Sequence, residues 1–320
     1  MRAKQWTAAL AGAALLACAC GIAAAEQITD IHATSSASES ASPPTDPAAL
    51  EHAGIETAPP KSTTDPCAQT EVVASPSRPY WDGGAATTQC GIIEVDFGWL
   101  GQSMGGGVRQ WMLASSLRYG LTPKMDLRWG VINHISQSGG GTAPLEGIGD
   151  QSLSATYRFY EQGRWMPAMA LSYGIEIPTG NPAKGFGSGF IDQGFVFLAS
   201  RDVGKIHLDF NTVGTVTGGT SGHDGSAQFG LAATRQMTKK LALILESYGG
   251  PQPEATDKYG AALTGASYSV RPWLVVDGAY VRTYTGGSPR QEFLFGLTHS
   301  IRPRFEPISK RSAIARKLGR

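Results

Sequence analysis

The sequence predicts an all-β chain: a transmembrane antiparallel up-and-down β-barrel of about 12 strands, preceded by a signal peptide and a disordered spacer. Three observations carry this. From Cys90 to Ile301 apolar and polar residues alternate in segments of the ~9–11 residues that a tilted strand needs to cross an outer membrane. The connections between these segments alternate between short and long. The charges inside the segments keep to one register.

Composition points the same way. Charged residues make up 17% of the 320, below the roughly 25% of soluble domains. Glycine is abundant, at 41 residues; the net charge of +1 says nothing about a nucleic-acid partner, and none is expected. No segment beyond the leader is apolar enough for a membrane helix, and the other structure that satisfies every backbone polar group in lipid is a closed barrel.

The chain opens as an export signal. Arg2 and Lys4 form a basic start, Thr7 to Ala17 a short apolar stretch, and Ala23-Ala24-Ala25 a small-residue cleavage site. Residues 1–25 are therefore read as a signal peptide that directs the chain to the bacterial outer membrane. Leu15-Leu16-Ala17-Cys18 offers a competing lipoprotein site and stays open. Residues 26–85, with runs such as "ATSSASESASPPTDPAA", lack the apolar surface to offset their ordering entropy and read as a periplasmic spacer. Contact of spacer or tail with peptidoglycan or another periplasmic component is left open. In an oxidising compartment Cys67 and Cys90 are candidates for a disulfide, with two free thiols as the alternative.

The barrel is assigned to residues 86–305, with strands near 91–100, 108–119, 125–135, 151–160, 168–177, 193–201, 206–215, 226–234, 241–248, 260–268, 274–284 and 291–301. Segments 120–124, 161–167, 202–205, 235–240 and 269–273 are the short connections. Segments 101–107, 136–150, 178–192, 216–225, 249–259 and 285–290 are longer and Gly-rich or polar. Outer-membrane barrels sort their loops this way, with short turns in the periplasm. Whether loop 178–192 folds inward is left open. In "SLRYGLTPKMDLRWGV" (116–131), Leu117, Tyr119, Leu127, Trp129 and Val131 share one face, and Arg118, Asp126 and Arg128 the other. The greasy face is assigned to lipid, joined by residues such as Phe97, Trp99, Leu171, Phe210 and Phe295. The lumen-lining candidates are Glu94, Asp96, Arg118, Asp126, Arg128, Arg158, Glu176, Asp209, Glu246, Asp277 and Glu292. A charge on the lipid face costs roughly 2–4 kcal/mol near the midplane, so one register for the charges is expected. Tyr119, Tyr160, Trp273 and Tyr284 fall at strand ends, where aromatic girdles form. Residues 306–320 are a basic tail, read as a solvated periplasmic extension, with anionic lipid head groups as a second option.

"LRYGLTPKMDLRWGV", "GIGDQSLSATYRFY" (147–160) and "MALSYGIEIPTGNP" (169–182), in this order, resemble the outer-membrane family called meta-pathway of phenol degradation. "LALILESYG" (241–249) is similar to a later strand of that family with an inward Glu. The resemblance spans about residues 92 to 300. It implies a porin-like barrel that moves small hydrophobic or aromatic compounds, and it brings no catalytic residues. The spacer and the basic tail lie outside it.

The residues themselves offer little chemistry. The six histidines (32, 52, 134, 207, 223 and 299) have no metal-ligand spacing, and neither a metal nor a cofactor is expected. His134 and His207 share inward parity and could meet in the lumen. The chain is not expected to be an enzyme, because a lipid hydrolase would need a Ser-His-acid set near the membrane edge and His134 with Ser136 is too little. A structural envelope anchor is the other alternative. Twelve strands lie between barrels filled by side chains and barrels with aqueous channels, so a narrow pore for a small-molecule solute is expected, with outer-membrane lipid as the other partner. Eight inward carboxylates against three arginines favour cations or neutral solutes. Arg118, Arg128 and Arg158 are expected to form a basic stripe facing Asp126, Glu176 and Asp209.

Overall fold

The structure is a computed structural model that describes residues 67, 71–219, 222–251, 259–285 and 289–303. The expected signal peptide, the spacer up to residue 66 and the tail 306–320 lie outside these residues. No helix among them is long and apolar enough to cross a membrane.

Thirteen strands form one antiparallel sheet: β1 (Ile93–Gly105), β2 (Val108–Thr122), β3 (Met125–Gly139), β4 (Thr142–Gly147), β5 (Gln151–Tyr160), β6 (Ala168–Ile177), β7 (Asp192–Val203), β8 (Ile206–Gly219), β9 (Gly222–Gln236), β10 (Leu241–Gly250), β11 (Tyr259–Arg271), β12 (Leu274–Thr285) and β13 (Gln291–Ile301). β1 pairs with both β2 and β13, and β2 with β3, so the sheet closes. β4 pairs only with β3, as a hairpin on the rim. The remaining twelve strands are the barrel wall, as the alternation predicted.

The alternation sorts the two faces. In β10, Ala242, Ile244, Glu246 and Tyr248 are buried inside while Leu243 and Leu245 are exposed. In β1, Glu94 and Asp96 are buried while Phe97 and Trp99 are exposed. Leu117, Leu127, Trp129, Leu171, Phe210, Phe293 and Phe295 join the exposed apolar set that faces lipid.

Three local expectations need correction. Segments 101–107 and 216–225 are not long loops. β1 and β2 run on to a tip at Gly106-Gly107, and β8 and β9 continue to Gly219 and Gly222. Glycine was read as loop, but a ladder needs only backbone groups, and Gly105, Gly106 and Gly107 supply the positive φ angles of 80°, 59° and 80° that the tip requires. Second, β3 carries a bulge: Leu113 pairs with His134 and Ala114 with Ile132, leaving Asn133 extra. The bulge reverses parity, so His134 lies on the outer face against exposed Trp111, with ring centroids 4.7 Å apart. It cannot meet His207 in the lumen. Third, the end of the expected spacer, from Val73 to residue 85, is packed inside the barrel.

That segment enters at the short-turn end, where the Ala74 N–H donates to the Pro272 carbonyl at 2.8 Å. It climbs past β1 and β13 to Arg78, turns at Tyr80 and Trp81 beside β10, and returns past β8, β7 and β3. Its last contact is a bridge between Cys90 and Gly120. Gly98 and Gly296 face each other across the β1–β13 pair, and a side chain on either would overlap the Arg78 guanidinium. A disulfide joins Cys67 to Cys90, closing the base of this loop over a separation of 23 residues, with Cα atoms 5.1 Å apart. A loop of that size loses about 3 kcal/mol of closure entropy when bridged. Cys67→Ser is expected to leave the wall intact and to make residues 71–90 faster to cleave by protease.

Candidate functional site

The lumen is the candidate site, and the inserted segment 73–90 is its main content. Backbone N–H groups of this segment have no ladder to join, and a buried N–H needs an acceptor. The wall supplies one at each level. The Ser75 N–H donates to Glu94 at 2.7 Å, Trp81 to Glu246 at 2.8 Å, Ala85 to the Ser200 hydroxyl at 2.7 Å and Thr88 to Asp126 at 2.7 Å. Asn211 donates its side-chain amide to the Gly83 carbonyl at 3.3 Å, and the Tyr80 and Thr234 hydroxyls meet at 2.6 Å.

The charges predicted from sequence therefore hold the segment more than they line a pore. Arg118 is buried between Glu94 and Asp96 (3.3 Å to the latter), and donates to the Ser75 carbonyl at 2.6 Å. Asp96 also accepts from Ser116 at 3.0 Å and Thr298 at 2.7 Å. Arg128 donates to the Ser77 hydroxyl and lies 3.8 Å from Asp96. Arg78 donates to the Phe295 carbonyl at 3.2 Å and stands 3.7 Å from Asp277. Asp209 accepts from the Ser200 hydroxyl at 2.6 Å and lies 3.1 Å from a ring nitrogen of His207. Glu292 accepts from Gln102 at 2.7 Å on the wall.

The basic stripe does not form. Arg118 is matched by two carboxylates, and Arg158 sits at the short-turn rim, bonded to the Pro123 carbonyl at 3.1 Å and 3.3 Å from Glu161. Of the three, Arg158 borders neither lumen cavity, Arg118 borders the one nearer the short turns, and Arg128 borders both. Glu176 lies near the long-loop end, away from Asp209. Loop 178–191 is pinned at that rim, where Asp150 accepts N–H bonds from Gly180 at 2.7 Å and Ser188 at 3.2 Å.

On the β10–β13 side the wall is filled by a buried apolar cluster, including Ile244, Tyr248, Tyr259, Leu263 and Val281, against which Tyr80 and Trp81 pack. On the β3–β7 side the inward positions are small, with Ser152, Ser154, Ser172, Gly174 and Gly194, and space remains beside the segment. A cavity of about 340 Å³ opens toward the long-loop end, between Arg78, Asp150, Ser152 and Glu176. A second, of about 210 Å³, lies nearer the short turns, between Ser77, Asp82, Asp126 and Thr156. Arg128 lines both.

Sequence reasoning missed Ser75, Ser77, Arg78, Trp81 and Asp82. The available signal was "SRPYWDGG", the first aromatic pair after a long stretch without one, bracketed by Cys67 and Cys90.

No protein-family profile matches the sequence, and no curated protein matches it. Solved structures do. An outer membrane channel from Pseudomonas putida F1 superimposes with a TM-score of 0.51 at 16% identity, over 73% of this chain and 99% of that one. The KdgM porin, in complex with disordered oligogalacturonate, gives 0.44 at 9% identity over 65% and 99%. The CymD monoaromatic hydrocarbon channel gives 0.39 at 8% over 65% and 87%. The first of these likenesses shows a shared fold, that of an outer-membrane β-barrel.

Proposed function

We propose that this chain is an outer-membrane channel for small solutes, preferring neutral hydrophobic or aromatic compounds, with a lumen narrowed by its own N-terminal segment. The observation that carries this is the pair of cavities meeting at Arg128. An anchor has no use for a strip of Ser and Gly that keeps one wall clear, whereas a channel needs it. The larger cavity, at about 340 Å³, falls at the lower end of the ~300–1,000 Å³ typical of small-molecule sites, which suits single rings better than oligosaccharides. Most inward charges are matched by the segment or by one another, so the clear strip selects weakly by charge. The resemblance to the phenol meta-pathway family supports the aromatic preference. The small neutral strip along β5–β7 favours passage.

The test is permeability of liposomes that contain the full chain, with ions, sugars and phenol-like solutes compared against protein-free liposomes. Graded passage by size is expected. A heat-modifiable, folded barrel that passes nothing would leave the envelope anchor as the better reading. Arg128→Ala joins the two cavities, so ion conductance is expected to rise severalfold in planar bilayers, while Arg128→Trp is expected to lower it.

A further inference from the structure

Porin lumens are polar, yet this one contains a slot that is not. Trp81, at the turn of the inserted segment, lies flat on Tyr248, with centroids 5.0 Å apart and planes within 5°. Tyr259 closes one side, 6.2 Å from Tyr248 and tilted by 46°. Ile244, Leu263 and Val281 complete the walls and are at most 2% exposed. Elsewhere the segment is held by hydrogen bonds and ion pairs, but here an indole ring fills an aromatic slot built by β10, β11 and β12. Tethering the segment needs no such slot, since the Trp81 backbone N–H already reaches Glu246.

Polar groups at the slot are in excess. One oxygen of Glu246 accepts the Trp81 N–H. Its other oxygen, Oε1, is buried with the Asn211 side-chain amide as its polar neighbour, and the Asn211 side-chain oxygen is itself buried without a partner. Glu246 and Asn211 are 3% and 0% exposed. Asn211 gains its position by reaching over Gly230, where any side chain would collide with it. Two buried acceptors at the edge of a flat apolar slot fit a planar ring that carries an O–H or N–H donor.

We propose that this slot is a binding site for a planar aromatic solute with one hydrogen-bond donor, and that Trp81 is its internal occupant, displaced when such a solute binds. The solute ring stacks on Tyr248 and its donor bonds Glu246 Oε1. The site lies in the extracellular half of the wall by the turn-length assignment. Displacing Trp81 loosens the top of the inserted segment, so solute and open lumen favour one another. This rests on the channel reading above for its purpose, but the slot can be tested apart from it.

The experiment is calorimetric titration of detergent-solubilised full-length protein with phenol, and with cyclohexanol as a non-planar alcohol of similar size. Heat-modifiable gel mobility confirms folding of each variant. Wild type must first release Trp81, and competition of this kind lowers apparent affinity by the fraction of open slot. Trp81→Ala is expected to bind phenol about tenfold or more tighter than wild type. Trp81→Phe, which keeps a ring in the slot, is expected to resemble wild type. Trp81→Ala combined with Tyr248→Ala is expected to lose binding, and cyclohexanol to bind none of them comparably. The proposal is overturned if Trp81→Ala and wild type bind phenol alike, or if removing Tyr248 changes nothing. If those results accompany liposomes that still pass ions and phenol, the channel stands and the slot is only a seat for Trp81. If the slot binds as expected while liposomes pass nothing, the site stands and the channel reading falls.

Discussion

Deleting residues 73–88 is expected to convert the narrowed lumen into an open one, with single-channel conductance in planar bilayers rising by about tenfold or more. The estimate follows from size: eight-stranded barrels are filled by side chains, sixteen-stranded ones hold aqueous channels, and twelve strands without an insert fall between. The deletion is geometrically mild. The two legs are held together at that end by the Val73 N–H bond to the Gln89 side chain and by the Cys67–Cys90 bridge, so a short Gly-Ser linker can span the gap. The wall closes through its own ladder between β1 and β13 and does not depend on the segment. Glu94, Asp126 and Glu246 lose donors, but water entering the lumen replaces them. The barrel should keep its heat-modifiable mobility. A conductance equal to that of the full chain would mean that solutes do not travel where the segment sits.

Arg118→Met is expected to have the largest effect of any single substitution. Glu94 and Asp96 are 0% and 3% exposed, two residues apart on one face of β1, and Arg118 answers both. Removing one partner of a buried ion pair costs about 3–5 kcal/mol, because the remaining charge is left uncompensated. Here two carboxylates are left, and the Ser75 carbonyl loses its donor as well. The cheapest relief is for the segment to withdraw and let water reach the pair. Residues 71–90 should become protease-sensitive and conductance should approach that of the deletion. Adding Glu94→Gln to Arg118→Met should recover part of the loss. If the single variant keeps wild-type protection, the ion cluster does not secure the segment.

The wall was legible because its signal is local. An alternation of period two survives in each strand on its own, as "LALILESYG" shows, and lipid on one side makes the penalty for a misplaced charge large. All twelve wall strands were placed from that alone. Strand ends were less legible, since the ladder through Gly105 and Gly219 is held by backbone groups that leave no side-chain pattern. The bulge at Asn133 was hidden for a related reason: one inserted residue reverses parity without altering composition. The content of the lumen was the least legible. Carboxylates such as Glu246 stand out by parity, but the group it accepts from, the Trp81 N–H, sits more than a hundred residues away in sequence. An Arg, a Tyr-Trp pair and an Asp in a Ser/Pro-rich context read as spacer until their partners across the lumen are known. For the same reason Arg118, Arg128 and Arg158 were grouped by their face, although what each one neutralises separates them.

The inserted segment goes in and comes out at the same end of the barrel: Ala74 meets the turn at Pro272, and Cys90 meets Gly120 at the foot of β2. It is therefore a bight rather than a thread. A chain that ran from one rim to the other would have to be in place before the β1–β13 seam zipped shut, or else pull a free terminus through the bore. A bight carries neither requirement. It can be pushed in after the cylinder is complete and drawn out again without parting a single rung of the wall. The cystine at its base ties the two legs together and leaves that freedom untouched.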